Sequence, residues 1–169
     1  MEIFFIGLII VALMVYASTK MKKFTASAFE AETIDTEDFS LVKPEGFLHV
    51  IGVESKFEFY AYSKEFGKDD ATEEMRCAEI FIKVFANQTI KQIRDGIKNA
   101  PENILLNEEK SGLIKIEKTI NEIEILEFYK IVETENSTKI YELKISVLKD
   151  FVEDYQARID EIFASFSVK

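Results

Sequence analysis

Few residues in this chain are of a type and spacing that could do chemistry. His49 is the only histidine and lies between Leu48 and Val50 in a stretch read as a strand. A lone imidazole becomes a base or a ligand only when partners are placed beside it, so a packed or exposed strand histidine is the simpler reading. Cys77 is the only cysteine. Arg76 beside it would favour the thiolate, but Glu73, Glu74 and Glu79 oppose that, and one cysteine forms no internal disulfide. Asp69-Asp70 and Glu73-Glu74 bring four carboxylates into one short stretch. They offer the oxygen ligands that divalent cations prefer, without the alternating spacing and turn glycine of a calcium loop. Plain loop charge is the competing explanation. No His-Cys cluster suits zinc. A glycine-rich phosphate loop and a Gly-x-Ser-x-Gly elbow are also missing from the sequence. No catalytic, cofactor or metal residue is therefore assigned, and a binding role is expected in place of an enzymatic one, with a metal-dependent enzyme using the loop carboxylates as the alternative. Asn87-Gln88-Thr89 and Asn136-Ser137-Thr138 match glycosylation acceptors, which matter only in an exported eukaryotic chain.

The elements that would position these groups follow from periodicity. Strands are expected at Phe39–Lys43, Phe47–Val53 and Phe57–Tyr62, with Pro44-Glu45-Gly46 turning the first into the second. Lys64–Glu74 reads as a solvated loop. Ala78–Ala86 alternates most clearly: Ala78, Ile80, Ile82, Val84 and Ala86 share one face, and Phe81 and Phe85 stand beside Glu79 and Lys83 on the other. Thr89 with Gln92 matches a capping box, and Ile90, Ile93 and Ile97 form the stripe of a helix closed by Pro101. Four more strands are expected at Ile104–Glu108, Leu113–Thr119, Glu122–Glu133 and Lys139–Leu148. A final helix, capped by Asp150, carries Val152, Tyr155, Ile159, Ile162, Phe163 and Phe166 as a core-facing stripe. Strands joined by short turns pair antiparallel, and apolar side chains on both strand faces call for cover on both sides. The expected architecture is α+β: an α/β/α sandwich with a mostly antiparallel sheet of about six to seven strands and two helices, preceded by an N-terminal transmembrane helix.

Composition limits the partners. The 169 residues are 47% apolar, with two Pro and six Gly, which suits one folded domain. The net charge is −10; the first 23 residues set Glu2 against Lys20, Lys22 and Lys23, so the remainder carries −12. Such a domain is repelled by phosphate backbones, and nucleic acid is not expected as a partner.

Two stretches resemble a known family. Phe39-Ser40-Leu41-Val42-Lys43-Pro44-Glu45-Gly46-Phe47 is similar to the opening strand and Pro-x-Gly-aromatic turn of the PsbP-like superfamily. Ile159-Asp160-Glu161-Ile162-Phe163-Ala164-Ser165-Phe166 resembles its closing helix. The resemblance spans residues 39–169 and implies the α/β/α fold and an accessory or binding role without catalysis. The aromatic after the turn glycine, often Trp in that superfamily, is Phe47 here, and the matching positions build the fold, so no functional residue is carried over.

The remaining stretch is an address. Ile3, Phe4, Phe5, Ile6, Leu8, Ile9, Ile10, Val11, Leu13, Met14, Val15 and Tyr16 belong to an uncharged run from Ile3 to Ala17, followed by Lys20, Lys22 and Lys23. This reads as a single-pass membrane anchor with its basic flank at residues 1–23. An acidic linker follows at 24–38, then a domain at 39–169. The lysines after the run place the domain on the cytoplasmic side, near a protein partner at the membrane. The alternative is a signal peptide cleaved after Val15-Tyr16-Ala17, which exports a soluble domain; its apolar length fits, but a basic start is missing.

Overall fold

The computed structural model describes residues 2–51, 57–108, 112–134 and 139–169, with side chains among them except at 2–9, 21–25 and 108. Its centre is a seven-stranded sheet in the order β3-β4-β5-β9-β8-β7-β6. The strands are β3 (Phe47–His49), β4 (Phe59–Ser63), β5 (Ala78–Ala86), β6 (Asn103–Glu108), β7 (Leu113–Ile120), β8 (Ile123–Glu133) and β9 (Lys139–Leu148). Every neighbouring pair is antiparallel. After β5, helix α2 (Ile90–Lys98) carries the chain to the far edge, and the meander β6-β7-β8-β9 returns to pair with β5.

Helix α3 (Val152–Ser165) and a smaller three-stranded sheet lie on one face. The small sheet has β2 (Phe39–Lys43) at its centre, between β1 (Glu32–Asp35) and β10 (Ser167–Val168). Here the period-two apolar positions of β5 meet the helical stripe. Ile80, Ile82, Leu143 and Ile145 from the sheet pack with Tyr155, Ile159, Ile162 and Phe166. The other face is covered over only part of its width. Ile93 of α2, with Ile90 and Ile97, packs on Ile114, Ile116, Tyr129, Ile131 and Ile140. Thr89 forms both bonds of the expected capping box with Gln92. The sandwich and the two covering helices are as the sequence pattern requires.

Several expectations need correction. The transmembrane helix is one. Residues Glu2–Ala28 do form a single helix, α1, but among the described residues no helix is long and apolar enough to cross a membrane. Fifteen apolar residues rise about 22 Å, short of a hydrocarbon core of about 30 Å. Lys20, Lys22 and Lys23, expected as a flank, lie within the same helix. Ile10, Val11, Leu13, Met14, Val15 and Tyr16 of the expected anchor are 48–66% exposed.

The acidic tether is a second correction. Residues 24–28 continue α1, and β1 pairs along β2 with Ile34 buried. The like charges that suggested an extended tether are held at the surface by ion pairs, Asp35 with Lys169 at 2.8 Å and Asp38 with Lys139 at 2.9 Å. The junction with α1 is also tied down. The backbone N–H of Gly46 (φ 90°) donates to the Phe29 carbonyl at 2.7 Å, and buried Lys43 donates to the carbonyls of Glu30 and Phe47. Only glycine reaches that φ cheaply.

Three smaller differences remain. Asp150 does not cap α3, which is entered through a single 3-10 turn at Lys149–Phe151 without a side-chain cap bond. The loop at 64–74 is built, not solvated throughout: Thr72 is buried, and Gly67 N–H donates to the Met75 carbonyl at 3.0 Å. The second strand ends at His49, and the rest of its expected range runs into residues outside the described ones.

Candidate functional site

The residues singled out for chemistry are not brought together. Cys77 is fully buried in the main core, and burial pushes its thiol up to about 11, so it behaves as a small core residue. His49 is half-buried on β3 with its ring 4.6 Å from Phe59, and burial lowers its pKa. Asp69 accepts from the backbone N–H and the hydroxyl of Thr72, and that hydroxyl chiefly lowers its pKa. This ties the loop to itself. Among the described residues, no group of three or more His, Cys, Asp and Glu side chains could hold a metal ion. Thr89 of the first glycosylation match is spent on the capping box, and Asn136 lies outside the described residues.

What the fold does assemble lies on the sheet face that α2 leaves open. Strand alternation points Tyr60 and Tyr62 of β4, Phe81 and Glu79 of β5, Lys144 and Ser146 of β9, and Glu127 of β8 to one side, and the register sets them side by side. They form a continuous row across the strands. Phe66 lies 3.8 Å from the Arg76 guanidinium, which lies 4.2 Å from the Tyr62 ring. Tyr62 is 6.0 Å from Tyr60, and Tyr60 stacks on Phe81 at 5.1 Å and 19°. Lys144 sits 4.9 Å from the Phe81 ring and reaches Glu127 at 3.1 Å. Cations over ring faces attract through the ring quadrupole, by about 0.5–1 kcal/mol at exposed sites. Phe57 adds a ring 4.9 Å from Phe81.

Two carboxylates fix the ends of the tyrosine pairs. The Tyr60 hydroxyl donates to Glu79 at 2.6 Å, and the Tyr129 hydroxyl donates to Glu127. Burial, reinforced by these carboxylates, pushes both tyrosines well above their ordinary value, so they remain protonated donors. Glu127 is 2% exposed and also accepts from Ser146 at 3.2 Å and pairs with Lys118 at 3.2 Å. Burial raises its pKa, but Lys144, the Tyr129 hydroxyl and Lys118 outweigh that and hold it below the usual carboxylate range. Glu142, two residues before Lys144 on β9, is instead pushed up by burial. The row is thus a rigid set of aromatic edges, fixed donors and an ionised acceptor.

Sequence reasoning saw the outward alternation of Glu79, Phe81, Lys83 and Phe85 but did not assemble the row. Arg76 falls between the expected loop at Lys64–Glu74 and the expected strand at Ala78–Ala86, and Glu127 and Lys144 belong to strands whose register no local pattern specifies.

No protein-family model matches this chain, and no curated protein matches it by sequence. Solved structures do. The fold is similar to that of LpqN from Mycobacterium tuberculosis, a protein involved in cell envelope biogenesis, with a TM-score of 0.55 at 8% identity over 83% of this chain and 91% of that one. PsbP (CyanoP) from Synechocystis matches with a TM-score of 0.48 at 13% identity, over 83% and 94% of the two chains. A Bacteroides thetaiotaomicron protein matches with a TM-score of 0.44 at 14% identity, over 78% of this chain and 45% of that one. The likeness to LpqN is one of fold alone.

Proposed function

We propose that the protein is a non-catalytic accessory or binding module that works on the exported side of a membrane and engages a protein partner through the open half of its sheet. The carrying observation is the row from Phe66 to Glu127, an aromatic and arginine-bearing surface of the composition that interface cores favour. LpqN, to whose fold this one is similar, is involved in cell envelope biogenesis, and that setting supports the exported reading. A photo-crosslinking residue placed at Tyr62 in cells tests the surface. The proposal expects a discrete crosslinked species that is lost with Arg76→Ala and does not form from Glu153 on exposed α3. Equal crosslinking from both positions would end it.

A second reading keeps α1 as a single-pass anchor with the domain on the cytoplasmic side. The apolar residues Ile10, Val11, Leu13, Met14, Val15 and Tyr16, exposed among the described residues, favour it. N-terminal sequencing of protein purified from its native cells separates the two. A mature start at Ser18 supports export, and a membrane-bound chain retaining Ile3–Ala17 supports the anchor.

A further inference from the structure

The second surface of interest lies at the opposite edge of the main sheet. Strand β6 is outermost, bonded on one side to β7. Ile104, Leu105 and Leu106 are 60%, 44% and 46% exposed, an unusual run of apolar residues for a sheet edge. Edge strands present unpaired backbone groups and are ordinarily blunted by charge or proline. Asn103 to Asn107 contains neither; the charge and the proline lie at the ends, in Glu108 and in Pro101-Glu102. The register shifts between Leu105 and Asn107, which leaves Leu106 without a partner on β7.

Beside this edge, α3 stands off the sheet and leaves a groove of about 260 Å³. Leu113, Phe128, Ile159 and Phe163 supply its apolar lining, and Gln156 and Asp160 of α3 with Lys115 of β7 its polar part. Asn107 of β6 also lines it, so edge and groove are continuous. We infer that β6 and this groove together bind an extended peptide segment of a partner protein, which adds as a strand along β6 and places an apolar side chain between β6 and α3. In this mode backbone bonds supply affinity and the pocket supplies specificity.

A second copy of the chain fits less well. A six-residue edge is about 20 Å long and offers far less than the roughly 800 Å² per partner of a stable complex. Two chains of net charge −10 also repel. Lys115 and Asp160 offset each other in the groove, and the net charge of the chain favours a segment with apolar residues at alternate positions and basic residues between them.

The probe is the capped heptapeptide Lys-Val-Lys-Val-Lys-Val-Lys, titrated into the full-length protein and followed by backbone amide NMR shifts. The expected result is saturable shifts at Asn103–Asn107 and Gln156–Phe163. The double variant Ile104→Lys with Leu106→Lys, at two exposed positions, should weaken binding at least tenfold. A Lys-Gly peptide of the same length should not saturate. Equal binding of the Lys-Gly peptide would show bare charge attraction and overturn the inference. So would shifts centred on Tyr60 and Arg76, or none at millimolar peptide. A concentration-dependent dimer abolished by the same double variant would assign the edge to a second copy, and overturn it too. Because these shifts fall on β6 and α3, their loss leaves the Tyr62 crosslink intact, and the two surfaces fail separately.

Discussion

The two faces of the main sheet are built from the same strands and do opposite things. Along β5 and β9 the face under α3 alternates apolar residues without interruption, and Ile80, Ile82, Leu143 and Ile145 are sealed from water. The face under α2 is apolar only where α2 lies. Beyond Tyr129 and Ile140 it changes to rings, lysines and carboxylates that half-bury one another. One face stores stability; the other keeps polar groups in fixed positions at a cost that neighbouring charges offset. The lesson is that in an antiparallel sheet, cover and not strand composition alone decides whether an outward aromatic is core or surface.

That contrast is open to attack, starting with the largest effect. Leu143→Ala on the sealed face should lower unfolding free energy by about 2–5 kcal/mol in urea denaturation, the range for a buried leucine whose cavity does not collapse. Glu127→Ala on the open face should cost about 2 kcal/mol, less than a fully dry ion pair because Lys118 and Lys144 are 19% and 25% exposed. A cost near zero would show that the charge row is mere decoration. The loss should also depend on pH. Glu127 titrates below its unfolded value, so its contribution is full above the ordinary carboxylate range and disappears as pH falls through the lowered folded value. Wild type and Glu127→Ala should therefore converge in melting temperature in acid.

Arg76→Ala should cost about 1 kcal/mol, from two ring contacts and bonds to the Ser63 and Lys64 carbonyls, with no change in far-UV circular dichroism. Glu122→Gly tests a place where neither face matters. Asn121 and Glu122 (φ 50° and 69°) form the two-residue turn between β7 and β8, and a glutamate in the left-handed region is strained. Glycine there should raise stability by up to about 1 kcal/mol. The smallest effect is Glu142→Gln. Burial raises this carboxyl in the fold, so its ionisation works against stability as pH rises through the raised value. The amide should raise the melting temperature slightly at neutral pH and lose that advantage in acid. It would move opposite to Glu127 from the neighbouring strand.

Much of the fold was legible. Period-two alternation in β5 and the stripes at Ile90, Ile93 and Ile97 and at Tyr155, Ile159 and Ile162 located the elements and their buried sides, because burial imposes those spacings. The small sheet was not legible. β1 has four residues and β10 two, too short for a period, and β1 hides among acids that read as tether. The candidate site was less visible still. Arg76, Tyr62, Phe81, Lys144 and Glu127 come from four separate stretches, and only strand order and register make them neighbours. Apolar content alone overstated α1: the run is apolar throughout but about one and a half turns too short.

The buried ammonium of Lys43 has a mechanical consequence. It grips the last turn beyond α1 through the Glu30 carbonyl and the β3 strand through the Phe47 carbonyl, while Gly46 holds Phe29. Force or torque applied to α1 passes through these bonds directly into the sheet, with no slack segment to absorb it. Whatever fixes the helix therefore aims the row of rings on the open face. Lys43→Met, which keeps the length but loses the grip, would turn a rigid mast into a hinge.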